Sequence, residues 1–128
     1  TCLLLSEESD PEIVKPFIDK GFNPENVVYY GESILKKKYR GFGIGKEFML
    51  QRENFAKSIP KVSHAAFCSV IRPTEHTLKP SDYVPLNSFW ESSGFKIEPD
   101  MKCTMVWQDT DQKLETKKEL QFWLKLLK

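Results

Sequence analysis

Arg40, Gly41, Phe42, Gly43, Ile44 and Gly45 bring an arginine and three alternating glycines to the point where an apolar, helix-forming run begins. Glycine inside a helix costs about 0.5–1 kcal/mol relative to alanine, so this placement calls for a function of bare backbone. The first amides of a helix have no internal partner and carry partial positive charge, and an anion answers both needs. Arg40 and Lys36, Lys37 and Lys38 add formal charge beside them. The chemistry implied is phosphate binding, and the bland alternative is a glycine-rich turn without a ligand. Two familiar phosphate motifs fail on spacing. A dinucleotide G-x-G-x-x-G from Gly41 needs glycine where Lys46 stands, and from Gly43 it needs glycine at Phe48. A nucleotide P-loop needs Ser or Thr after G-K, whereas Gly45-Lys46 is followed by Glu47.

The elements that position this turn follow from periodicity. Asn26 to Leu35 is rich in β-branched and aromatic residues and predicts a strand, with Gly31 marking a bulge or a close backbone approach. A helix is expected from about Gly43 to Ile59, with Ile44, Phe48, Phe55 and Ile59 on its inward face and Pro60 ending it. Val62 to Ile71 is almost continuously apolar, as a buried parallel strand should be. "TCLLL" reads as a short strand. In "SDPEIVKPFIDKG", Ser9 or Asp10 can cap, Pro11 suits the first helical position, and Pro16 predicts only one or two short turns.

Further along, "LNSFWESSG" predicts a short helix closed by Gly94. "MKCTMVW" alternates as a strand. The tail "KKELQFWLKLLK" fits both periods, and Lys117 and Lys118 at a helix start would oppose its dipole, which favours a strand. Strand, helix and strand in the middle with antiparallel strands at the end predict an α/β fold on a mixed sheet.

Here R-x-x-G-x-G, on Arg40, Gly43 and Gly45, resembles the acetyl-CoA motif of the GNAT superfamily of N-acetyltransferases. The later "SFWESSGFK" is similar to that family's second CoA segment, F-Y-x-x-x-G-F, and the resemblance spans residues 27 to 107. It implies a GNAT-like sheet, mixed and mostly antiparallel, with a central parallel strand pair splayed around the cofactor and helices flanking it. It implies a single domain over residues 1–128, opening near the family's third strand and so lacking the amino-terminal strand and helices. The loop carrying Arg72, Pro73, His76, Pro80 and Tyr83 resembles an R-P-x-x-H and P-x-x-Y loop of a bacterial GNAT subgroup.

By the same resemblance, the backbone of Ser33, Ile34 and Leu35 would pair with the pantetheine arm like an added strand. Amides from Arg40 to Gly45, including Gly41, Phe42 and Ile44, would hold the pyrophosphate of acetyl-CoA, and Trp90 would stand beside the cofactor. The implied reaction is direct acetyl transfer to an amine acceptor. Glu32 is the candidate general base, against the alternative of a solvated or ion-paired carboxylate. The family's usual acid is the tyrosine of F-Y-x-x-x-G-F, and Trp90 in its place has no titratable proton. Tyr83 and His76 are the stand-ins, against a ring packed on the short helix and a plain loop histidine. A non-catalytic CoA-binding or interaction module of the same fold is the rival reading.

The totals set outer bounds. The 128 residues suit one core. A net charge of +1 gives no charge argument for nucleic acid or a membrane surface. Cys2, Cys68 and Cys103 are odd in number and widely spaced, which predicts reduced thiols in a cytoplasmic setting. No metal site is expected from His64 and His76, whose spacing does not suit zinc. His64, Cys68 and Cys103 read as core residues, with nothing charged nearby to lower the thiol pKa, and "DTDQ" at Asp109 to Gln112 as a turn. Phe122 and Trp123 belong either to a homodimer interface or to the core.

Overall fold

The computed structural model describes residues 1–72, 79, 81 and 84–128. Its five strands are β1 (Cys2–Leu4), β2 (Val27–Tyr30), β3 (His64–Val70), β4 (Lys96–Trp107) and β5 (Thr116–Leu126), and its helices are α1 (Pro11–Asp19), α2 (Ile44–Ser58) and α3 (Asn87–Ser92). The strands form one sheet in the order β1-β2-β3-β5-β4. β2 and β3 run parallel, and the other three pairings are antiparallel. A mixed α/β architecture is therefore what the chain adopts.

Each face of the sheet has its own core. On one face α1 lays Ile13 and Phe17 against Val27, Tyr29, Met101, Leu120 and Phe122. Phe17 meets Phe122 edge to face at 5.1 Å. On the other face Ala56 of α2 joins Val28, Tyr30, Ala65, Phe67, Phe95 and Trp123, with Trp90 of α3 packed alongside. All four residues of β2 are buried because helices cover both sides of it. Phe122 and Trp123 are successive residues of β5 and so enter opposite cores. Both are core residues, and neither is available to a dimer interface.

Several boundaries differ from the sequence expectation. α1 runs nine residues through Pro16. Asp10 caps it by accepting from the Glu12 amide at 3.0 Å, and the proline deprives only the carbonyl of exposed Glu12, near the helix start, of its partner. Burial of Ile13 and Phe17, four residues apart on one face, outweighs that loss. β2 stops at Tyr30, five residues short of Leu35. Its parallel pairing with β3 covers only Val27 to Tyr29, and the Gly31 amide turns away to donate to Thr1 O at 2.9 Å. A Cβ on Gly31 would overlap Thr1 Oγ1, so the glycine marks a close approach.

The inward stripe of α2 matches the expected one only in part: Ile59 packs against the core. Phe48 and Phe55 are 36% and 44% exposed, and the buried side chain is Ala56. Glu53 faces inward instead and pairs with Lys125 of β5 at 2.9 Å and Lys57 at 3.0 Å. Those ion pairs hold its carboxyl below the usual range against the opposing effect of burial. A charged residue with partners thus faces the sheet from a side of the helix that the apolar periodicity does not mark.

β4 carries a large bulge, its register passing from Ile97↔Trp123 directly to Lys102↔Gln121. The Gln121 side-chain amide fills the gap, donating to the carbonyls of Glu98, of Met101 at 3.0 Å and of Phe122 at 3.2 Å. At the far end of the β4–β5 hairpin the buried Lys118 ammonium donates to Trp107 O, to Gln112 Oε1 at 2.8 Å and to Thr116 Oγ1 at 2.6 Å. Asp109 to Gln112 is a turn, closed by Gln112 N donating to Asp109 O at 3.1 Å. Among the described residues no helix is long and apolar enough to cross a membrane.

Candidate functional site

Residues 31–36, between β2 and the turn before α2, have no regular secondary structure. Two arginines hold this segment by its carbonyls. Arg52 of α2 donates from Nη2 to Glu32 O at 3.2 Å, and Arg40 donates from Nε to Leu35 O at 3.0 Å. The amino terminus of Thr1 also donates to Glu32 O, at 2.8 Å. Ser33 and Ile34 lie between the two clamps and are exposed, Ile34 at 82%.

A single turn of 3-10 helix at Lys37–Tyr39 then leads into the glycines. Gly41 and Gly43 have φ of 85° and 80°, in the left-handed region that favours glycine. Among the described residues nothing lies within 4 Å of a Cβ added to either, so none of them excludes a side chain there. Gly43 is the N-cap of α2 and offers no side-chain cap. The amides of Ile44, Gly45 and Lys46 donate to no acceptor among the described residues. Gly45 has an ordinary φ, and a Cβ on it would touch Phe89 Cζ of α3 at 3.7 Å. Phe42 beside them is 76% exposed.

The Arg40 amide differs from expectation: it donates to Lys37 O at 3.1 Å and is already used. The free donors begin beyond it. Trp90 packs its ring on Phe67 at 5.0 Å and on Trp123 at 5.2 Å, as part of the core face. It is Phe89, the preceding residue, that reaches the glycine turn, a contact the motif alone does not reveal. His76 and Tyr83 lie outside the described residues, as do Pro73 and Pro80. Arg72 at the start of that loop forms a two-pronged pair with Asp109, at 3.0 and 3.2 Å. Together with the Trp107 indole, which donates to Asp109 at 2.9 Å, it holds that carboxyl down at about 2.

The concavity beside this segment encloses about 350 Å³ and is lined by Glu32, Ser33, Ile34, Phe48, Gln51 and Arg52, together with Thr1 and Cys2. Behind it the Arg52 guanidinium lies 5.4 Å over the ring of Tyr30. Tyr30 Oη is buried and has no hydrogen-bond partner among the described residues, and burial pushes its phenol up. Sequence reasoning passed over Arg52 because it sits inside a helix with ordinary spacing and no motif.

The remaining candidates are structural. His64 is half-buried, meets Phe22 edge to face at 5.1 Å and shares a 2.8 Å hydrogen bond through Nδ1 with Ser63 Oγ, and burial lowers its pKa. Cys103 is buried, and half-buried Cys68 lies 3.1 Å from Tyr29 Oη. Hydrogen bonding from Cys103 and from that phenol holds the Cys68 thiol below its ordinary value, so uncharged neighbours do what no charge was on hand to do.

No protein-family model matches this chain, and neither a search of curated proteins nor one of solved structures returns a significant match.

Proposed function

We propose that the chain is an N-acyltransferase of the GNAT type that moves an acetyl group from acetyl-CoA directly to an amine. The observation that carries this reading is the unit from β2 to α2. A strand whose parallel partnership ends after three residues leads through an irregular segment and a left-handed glycine turn into a helix with uncapped first amides. On this reading β2 and β3 are the central parallel pair, splayed beyond Tyr29 and Ala66 to admit the cofactor. Backbone groups of Ser33 to Leu35 run beside the pantetheine arm. Amides from Gly41 to Gly45, with Arg40 and the lysines nearby, hold the pyrophosphate.

Glu32 takes a proton from the amine, directly or through water. The amine nitrogen then bonds to the acetyl carbon and the carbon–sulfur bond breaks. The electron pair leaves on sulfur, and the thiolate takes a proton from His76, Tyr83 or water. The free cysteines fit a cytoplasmic setting.

A second reading, a non-catalytic CoA-binding or interaction module, draws on Trp90. Its indole is packed in the core where the family's acid would stand. Titration with acetyl-CoA in a calorimeter, with NAD as the control, followed by an amine-acceptor screen, tests both. Saturable binding with turnover supports the transferase, binding without turnover of any amine supports the module, and absence of binding overturns both.

A further inference from the structure

Arg52 is a half-buried guanidinium, and among the described residues no carboxylate lies within ion-pair distance of it. Among the described residues its hydrogen bond goes to the Glu32 carbonyl at 3.2 Å, and its guanidinium lies over the face of Tyr30 at 5.4 Å. The adjacent charge on the same helix is treated differently: Glu53 is paired with two lysines. A guanidinium presents five N–H donors in a rigid fork, and the Glu32 carbonyl takes one of them. Withdrawing such a group from water without a counter-ion is unfavourable, and a planar carboxylate is the partner its geometry fits best. The group is also held in place from two sides, so little ordering is needed for it to receive an anion.

The hollow that Arg52 lines supplies the rest of the specificity. Ile34 and Phe48 give it apolar walls, and Glu32, an acidic residue, lines the same space. Its volume of about 350 Å³ lies at the small end of ligand pockets. We propose that this concavity is the acceptor pocket and that it takes a small amino-acid-like molecule. The carboxylate of that molecule rests on Arg52, its amine faces Glu32, and its apolar body lies over Ile34 and Phe48. The assignment rests on the acyltransferase reading, and it names the class of amine acetylated. The amine loses a proton to Glu32, forms the amide with the acetyl carbon, and the sulfur leaves as the thiol.

The test titrates the protein with phenylalanine, leucine and methionine. Phenethylamine, which lacks the carboxylate, and 3-phenylpropionate, which lacks the amine, are the comparisons. At least one amino acid should bind saturably, and about tenfold or more tighter than either truncated probe. Arg52→Gln should weaken that amino acid by about tenfold or more, and phenethylamine and acetyl-CoA by far less. Arg52→Lys should recover part of the loss, and a cooperative thermal melt shows that the variants are folded. Equal binding of phenylalanine and phenethylamine, indifference to Arg52→Gln, or no amino-acid binding overturns the pocket assignment. If acetyl-CoA alone binds, the transferase reading stands without this acceptor class. If amino acids bind through Arg52 and acetyl-CoA does not, the acceptor role is overturned.

Discussion

Gly43 separates two explanations of the glycine turn. Its φ of 80° lies in the left-handed region, and among the described residues a Cβ there meets nothing within 4 Å. Replacement by alanine therefore adds backbone strain and no internal clash, a cost of about 1–2 kcal/mol. For a domain of this size that lowers Tm by roughly 3–10 °C. Asparagine visits the left-handed region far more readily, and Gly43→Asn should lose about half as much or less. If glycine is present only to make the turn, affinity should follow stability, and the asparagine variant should bind acetyl-CoA almost as the wild type does. If bare backbone lets a phosphate reach the amides of Ile44 to Lys46, both variants should bind poorly whatever their stability. Loss of one charge-assisted hydrogen bond is worth about 1.5–3 kcal/mol, or roughly 10–150-fold in Kd. Paired thermal melts and calorimetric titrations of the two variants measure both quantities. Wild-type affinity in Gly43→Asn refutes the phosphate role of this turn.

Three further outcomes follow from other contacts. Gln121→Leu removes the amide that serves the carbonyls of Glu98, Met101 and Phe122 across the bulge. It should cost about 2–4 kcal/mol in urea unfolding, and a loss below about 1 kcal/mol would show that water satisfies the bulge. The Asp109 carboxyl is held at about 2, below its ordinary range, so its contribution is complete above about pH 4 and is lost as pH falls through about 2. Wild-type Tm should therefore fall more steeply than that of Asp109→Asn between about pH 4 and 2, and parallel slopes would refute the pairing with Arg72. Glu32→Gln should remove the acidic limb of the kcat/KM pH profile, where protonation silences a base, and an unchanged profile eliminates Glu32 as the base.

What the sequence revealed depended on whether the cause was local. β3 was legible as a continuous apolar run because helices cover both its faces, and β5 because Lys117 and Lys118 suit a helix start poorly. The cap of α1 and the glycine turn are local chemistry: Ser9 or Asp10 before Pro11 marked the cap, which Asp10 supplies, and Arg40 to Gly45 marked the turn. The end of β2 was not legible, because it is set by how far β3 continues beside it and by Thr1 at Gly31. The inward face of α2 was legible only in part, because Glu53 owes its place to Lys125, 72 residues away. Gln121 looks like an ordinary polar strand residue until the bulge it fills is known. Within the site, Gly41 and Gly43 could be found by spacing, whereas Arg52 could not. Its significance lies in having no carboxylate within ion-pair distance among the described residues, and that is a property of the folded surroundings.

Arg52 and Arg40 together explain how an irregular segment can serve as a binding edge. Residues 31–36 have neither strand nor helix to fix them, and Ile34 contributes almost no burial. Left alone, such a segment would sample many conformations, and each ordered residue would cost about 1–2 kcal/mol on binding. The two guanidiniums grip its carbonyls at Glu32 and Leu35, leaving Ser33 and Ile34 suspended between fixed points. Both clamps tie the segment to the glycine turn and helix: Arg40 begins the turn, and Arg52 belongs to α2. The phosphate end and the acceptor end of the proposed site are therefore set by one stretch of chain. Removing either arginine should loosen both ends, with Arg52 felt more strongly at the acceptor and Arg40 at the cofactor.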